Sequence, residues 1–84
     1  MRRTAVRRLS YRDASDMPKA AQVLAALKRD GWVQIRQRGS HRRLVKGPLK
    51  RTWAFHDSMD LGTVQMTQVA KQFGYTLEAL RKLV

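Results

Sequence analysis

Two turn signals, Gly39-Ser40 and Gly47-Pro48-Leu49-Lys50, cut the middle of the chain into three short pieces and leave each room only for a strand. Gly39-Ser40 fits a two-residue hairpin of type II′, which needs a positive φ at its first central position. Pro48 suits the second position of a four-residue turn. The first piece, Trp32 to Arg38, alternates in polarity and is partly β-branched; His41 to Lys46 and Arg51 to about His56 follow as strands two and three.

Register can be tested by asking which pairing collects the apolar residues, because a slip of one residue moves every side chain to the other face. Pairing Arg38 with His41, and Gly47 with Lys50, puts Val33, Ile35, Leu44, Trp53 and Phe55 on one face, read here as the core side. The opposite face then holds Gln34, Arg36, Arg38, His41, Arg43, Thr52, Ala54 and His56, with His41 directly across from His56. Trp32 and Val45 fall on that polar side. There Trp32 is a candidate base-stacking platform at the rim, although a lone aromatic after a helix is more often packed.

Helical spacing flanks these strands. Ala20, Val23, Leu24 and Leu27 follow the i, i+3, i+4, i+7 pattern, with Asp16 near the start, Pro18 in the first turn and Gly31 as the stop, giving a helix over about 18–30. Met66, Val69, Ala70 and Phe73 mark a second helix, for which Asp60 is the candidate N-cap and Gly74 the candidate C-cap. Thr76 caps a short last helix with the stripe Leu77, Leu80 and Leu83. An α+β layer follows, with a three-stranded antiparallel sheet covered by helices on one face.

With 84 residues there is one domain at most. Eighteen Lys and Arg stand against six Asp and Glu, and the formal charge of +12 favours a polyanionic partner. The first residues lack the apolar core of a secretory signal and no stretch reaches a membrane span's length, so a cytoplasmic chain without a membrane partner is expected. Cysteine is absent, and two His with six scattered acids show no metal-ligand spacing, which points away from a metal site or other cofactor. Residues 1–16, with Arg2, Arg3, Arg7, Arg8 and Arg12, read as a flexible basic extension, either a functional arm or an upstream stretch ahead of Met17; residues 17–84 form the domain proper.

The chemistry concentrates around Gly39-Ser40-His41. Histidine exchanges a proton near neutral pH, its ordinary pKa being about 6.5, and arginines hold phosphate in bidentate fashion. His41 is therefore the candidate general base on an RNA 2′-hydroxyl. That oxygen would attack the adjacent phosphorus and leave a 2′,3′-cyclic phosphate, a route closed to DNA. His56, brought alongside by the inferred register, is the candidate general acid for the leaving 5′-oxygen. Arg36, Arg38, Arg42, Arg43, Lys46, Lys50 and Arg51, with no acid among them, form a candidate backbone-binding track that includes the Gly39-Ser40 turn. A charged strand face can equally be a solvated surface that discourages edge pairing.

Leu24 to Leu44, LAALKRDGWVQIRQRGSHRRL, resembles the HicA family of toxin-antitoxin ribonucleases, in which a helix is followed by Gly-Trp and then by an Arg-x-x-Gly-Ser-His turn. Asp60-Leu61-Gly62-Thr63-Val64, Gln72-Phe73-Gly74-Tyr75 and Thr76-Leu77-Glu78 are similar to the family's second helix and tail. The segment between His56 and Gly62 is shorter than usual and lacks the common Pro. The resemblance spans residues 17–84. It implies a double-stranded-RNA-binding-like α-β-β-β-α fold, mRNA cleavage that arrests growth, a HicB-type antitoxin partner, and a single catalytic histidine at His41, with His56 at most an assistant; the lack of metal-ligand spacing makes the expected cleavage metal-independent. Two other functions remain open: a non-catalytic RNA- or DNA-binding module using the same basic face, and a protein whose charge only docks an acidic partner.

Overall fold

The structure, a computed structural model, describes residues 17–84; the basic extension expected over 1–16, and Asp16 with it, lie outside the described residues. The order of elements is α1 (Ala20–Arg29), β1 (Val33–Arg38), β2 (His41–Lys46), β3 (Leu49–Trp53), α2 (Thr63–Phe73) and α3 (Leu77–Leu83). The strands form an antiparallel meander in the order β1-β2-β3. The expected α+β architecture is the one formed. No helix among the described residues is long and apolar enough to cross a membrane.

Helical spacing translates directly into burial. Ala20, Val23, Leu24 and Leu27 of α1 and Met66, Val69, Ala70 and Phe73 of α2 are all buried, together with Leu80 of α3. Across the layer they meet Trp32, Leu44 and Trp53. Phe73 is shared by both tryptophans, edge to face with Trp32 at 4.8 Å and with Trp53 at 6.1 Å between ring centroids. Gly74 ends α2 at φ +86, and the Thr76 hydroxyl caps α3 by accepting the Ala79 N–H at 3.0 Å.

The first hairpin forms as expected, with Arg38 opposite His41 and Gly39 at φ +60; Ser40 has no positive φ, which makes the turn type II′. The second differs by two residues. Gly47-Pro48 is itself a two-residue turn, with Gly47 at φ +58 and Pro48 in the second central position, so Lys46 pairs with Leu49 rather than Gly47 with Lys50. A slip of two preserves the faces but slides β3 along β2. Pairing ends at Arg42 with Trp53, and His56 lies beyond the sheet instead of across from His41.

A second correction concerns β1. Between the pairs Gln34–Leu44 and Arg36–Arg43 the strand holds one extra residue, Ile35, a β-bulge that reverses the alternation on its N-terminal side. Val33 and Ile35, expected in the core, are therefore 60% and 57% exposed, while Trp32, expected on the polar side, is buried. The Trp32 indole N–H donates to the Tyr75 hydroxyl at 3.1 Å, so this ring is a core anchor and not a rim platform.

Asp60 is not the N-cap of α2; Gly62 occupies that position. Asp60 instead pairs with Lys19 at 2.7 Å, in a loop that completes the start of α1. Ala20 N–H donates to the Met59 carbonyl and Ala21 N–H to the Asp57 carbonyl, at 2.7 and 3.1 Å. Two of the first-turn donors that a helix leaves unpaired are satisfied in this way.

Candidate active site

Register places the outward side chains of the sheet in three rows about 7 Å apart, since each row is two residues from the next. Arg38 and His41 form the row beside the first turn. Ile35 and Arg36 of β1, Arg43 of β2 and Thr52 of β3 form the middle row. Val33, Val45 and Lys50 form the third. The bulge is what sets Ile35 and Arg36 together against Arg43.

Arg36, Arg38, His41, Arg43 and Thr52 line an open depression of about 220 Å³. All five are exposed, and among the described residues neither these arginines nor Lys50 pairs with a carboxylate. An imidazole, three guanidinium groups and a hydroxyl thus face one opening, with no acid beside them. Such a set can hold a phosphodiester by charge-assisted hydrogen bonds and move a proton next to it.

The expected cation track divides by strand parity. Arg42, Lys46 and Arg51 point to the helical side, where each has a partner. Arg42 Nη1 donates to Asp57 Oδ1 at 2.8 Å, with the arginine side chain only 15% exposed. Its hydrogen bond to the Asp57 carboxylate holds that group below the usual carboxylate range. Lys46 Nζ donates to Asp30 Oδ2 at 3.0 Å, and the Tyr75 hydroxyl donates to the same oxygen. These bonds, from Tyr75 first and Lys46 second, depress the Asp30 pKa; the bond to Asp30 raises that of Lys46, and burial followed by the bond to Asp30 raises that of Tyr75. Arg51 Nε donates to the Gln72 carbonyl at 2.8 Å, near the C-terminal end of α2, and Gln72 Nε2 returns a bond to the Thr52 carbonyl at 3.2 Å. These three cations brace the sheet against the helices.

Of the remaining expected residues, Gly39 and Ser40 build the turn before His41, with the Gly39 carbonyl accepting from Gln37 Nε2 at 3.1 Å. Lys50 is on the outer face at the end of the third row. His56 is exposed in the loop after β3, where its carbonyl accepts the Met59 N–H. Thr52 is the residue that charge-based reasoning passed over, although its cross-strand position opposite Arg43 marks it. No group of three His, Cys, Asp or Glu able to hold a metal ion is present among the described residues.

In comparisons with known proteins, the family model described as the HicA toxin of bacterial toxin-antitoxin systems matches residues 20–75. That span runs from the first residue of α1 to Tyr75 and includes the whole sheet. No curated protein and no solved structure matches the chain.

Proposed function

Because the chain belongs to the HicA toxin family of bacterial toxin-antitoxin systems, we propose that it is an endoribonuclease that cuts mRNA with His41 as the proton-transfer residue. The observation that carries this reading is the convergence of His41 with Arg36, Arg38, Arg43 and Thr52 on one open depression. The arginines and the Thr52 hydroxyl bind the non-bridging oxygens of a phosphodiester. The His41 imidazole takes the proton of the neighbouring 2′-hydroxyl, the freed oxygen attacks phosphorus, and the bond to the 5′-oxygen breaks. A 2′,3′-cyclic phosphate forms, and the departing 5′-oxygen takes a proton from solvent. Guanidinium groups already in place stabilise the charge that builds on the phosphoryl oxygens.

The partner is a HicB-type antitoxin, and the excess of 18 basic over 6 acidic residues suits an acidic one. His41→Gln is the decisive variant. Growth arrest on expression, and cleavage of purified RNA in the presence of a chelator, are both lost in this variant while RNA binding persists. Undiminished cleavage by the variant refutes the catalytic assignment. Binding without cleavage in the unaltered chain makes the outer face an RNA-binding surface only.

A further inference from the structure

The third row of the outer face differs in kind from the two that form the depression. Val33, at 60% exposure, stands opposite the half-buried Val45, and Ile35, at 57%, adjoins them from the middle row. Three β-branched side chains thus make an apolar patch on a face otherwise built of cations. The patch is bounded by charge on two sides. Arg36 and Arg43 lie toward His41, and Lys50 stands directly across from Val45.

Resting on the ribonuclease reading, we infer that Val33, Ile35 and Val45 form a nucleobase subsite for an unpaired nucleotide next to the scissile phosphate. A base is flat and apolar on its faces, and its own backbone carries phosphate on either side. The sheet offers the matching order: cations, apolar floor, cation. The rows are about 7 Å apart, so a base lying on Val33 and Ile35 leaves its phosphate within the reach of Arg36 and Arg43. In a duplex the bases are stacked on one another and cannot lie on this floor. Three aliphatic side chains are also far short of the roughly 800 Å² per partner that a stable protein interface buries. The patch carries no hydrogen-bonding group of its own, so the subsite tolerates any base.

The bulge is what makes this possible. Without the extra residue, Val33 and Ile35 would face the core, and of the three aliphatic side chains only Val45 would stay on the outer face.

The test uses His41→Gln as background, so that RNA stays intact, with two probes: a fluorescent single-stranded oligoribonucleotide, and inorganic polyphosphate, a polyanion without bases. Val33→Thr with Ile35→Thr keeps the β-branched shape and removes apolar surface. This pair weakens binding to the oligoribonucleotide about tenfold and leaves binding to polyphosphate unchanged, the latter also reporting an intact fold. Ile35→Tyr supplies a stacking ring and tightens RNA binding several-fold without affecting polyphosphate. Arg43→Ala weakens both probes. Equal loss with both probes in the threonine pair, or unchanged RNA affinity, overturns the subsite. Unchanged RNA affinity with a loss of antitoxin or self-association assigns the patch to a protein. If Arg43→Ala affects neither probe, the ribonuclease reading itself fails. The subsite alone fails when Arg43→Ala behaves as stated and the threonine pair does not.

Discussion

Arg42 and Arg43 are adjacent in the chain and stand on opposite faces of the sheet, one in an ion pair with Asp57 and the other beside His41 in the basic depression. Identical side chains therefore do separable work. Arg43→Ala weakens RNA binding whatever the sequence and lowers the slope of log affinity against log salt by about one, with the melting temperature little changed. Arg42→Ala lowers the melting temperature, because it removes the hydrogen bond to the Asp57 carboxylate, and leaves the salt slope as it was. Binding titrations across salt concentrations together with thermal melts decide this; a reduced slope in Arg42→Ala contradicts the division.

Gly39 and Gly47 occupy equivalent positions in the two hairpins, at φ +60 and +58, with open space where a Cβ would sit. Alanine at either costs about 1–2 kcal/mol through backbone strain alone, measurable by denaturant melts. Only the first turn borders His41. Gly39→Ala also lowers the cleavage rate of the folded protein, whereas Gly47→Ala leaves that rate unchanged.

Stability has an acid limit and an alkaline limit set in part by one cluster. Asp30, with its pKa depressed below 3.8 by Tyr75 and Lys46, contributes stability that is present above that value and lost as pH falls through the folded-state pKa. Lys46 and Tyr75 are raised above 10.5 and 10.0, so their contributions are full below those values and vanish as pH climbs through the folded-state ones. Asp57 adds to the acid limb. Melts over the two ranges should show Asp30→Asn flattening both limbs in part, since Asp57 keeps some of the acid limb and the burial of Tyr75 some of the alkaline one; identical profiles for variant and parent refute the assignment.

Phe73 is the ring on which both buried tryptophans close. Phe73→Ala removes it from a core with little else to fill the space, at a cost of about 3–5 kcal/mol. In a domain of this size that approaches the whole stability. Urea melts monitored by tryptophan fluorescence should show the cooperative transition shifted to much lower urea or gone, whereas Phe73→Leu keeps it.

Helix stripes and the Gly39-Ser40 turn were legible in the sequence because spacing and positive φ are local properties; the second turn was legible in its place but not in its central residues. The bulge at Ile35 was not. A single inserted residue leaves the alternation of β1 looking regular, and the burial of Trp32 depends on Tyr75 and Phe73, far away in the chain. The division of the cations was half visible, since strand parity already separates Arg42 from Arg43. What parity could not supply were the partners Asp57, Asp30 and the Gln72 carbonyl, contributed by other elements. His41 and its turn were readable together because they are consecutive. The link to His56 failed because it required a register across a turn whose two central residues are Gly47-Pro48 and not Pro48-Leu49.

The loop over residues 57–61 that completes the first turn of α1 bears on the order of events during synthesis. The strand pairings join neighbouring segments through two-residue turns and form quickly. Yet Ala20 and Ala21 find their acceptors only once Asp57 and Met59 have been made, and Trp32 and Trp53 find their shared ring only with Phe73. In synthesis the segment that forms the His41 hairpin is therefore made well before the segments that close the scaffold beneath it. The basic face is backed by a complete core only once the second helix has been made, because Phe73 lies at the far end of that helix.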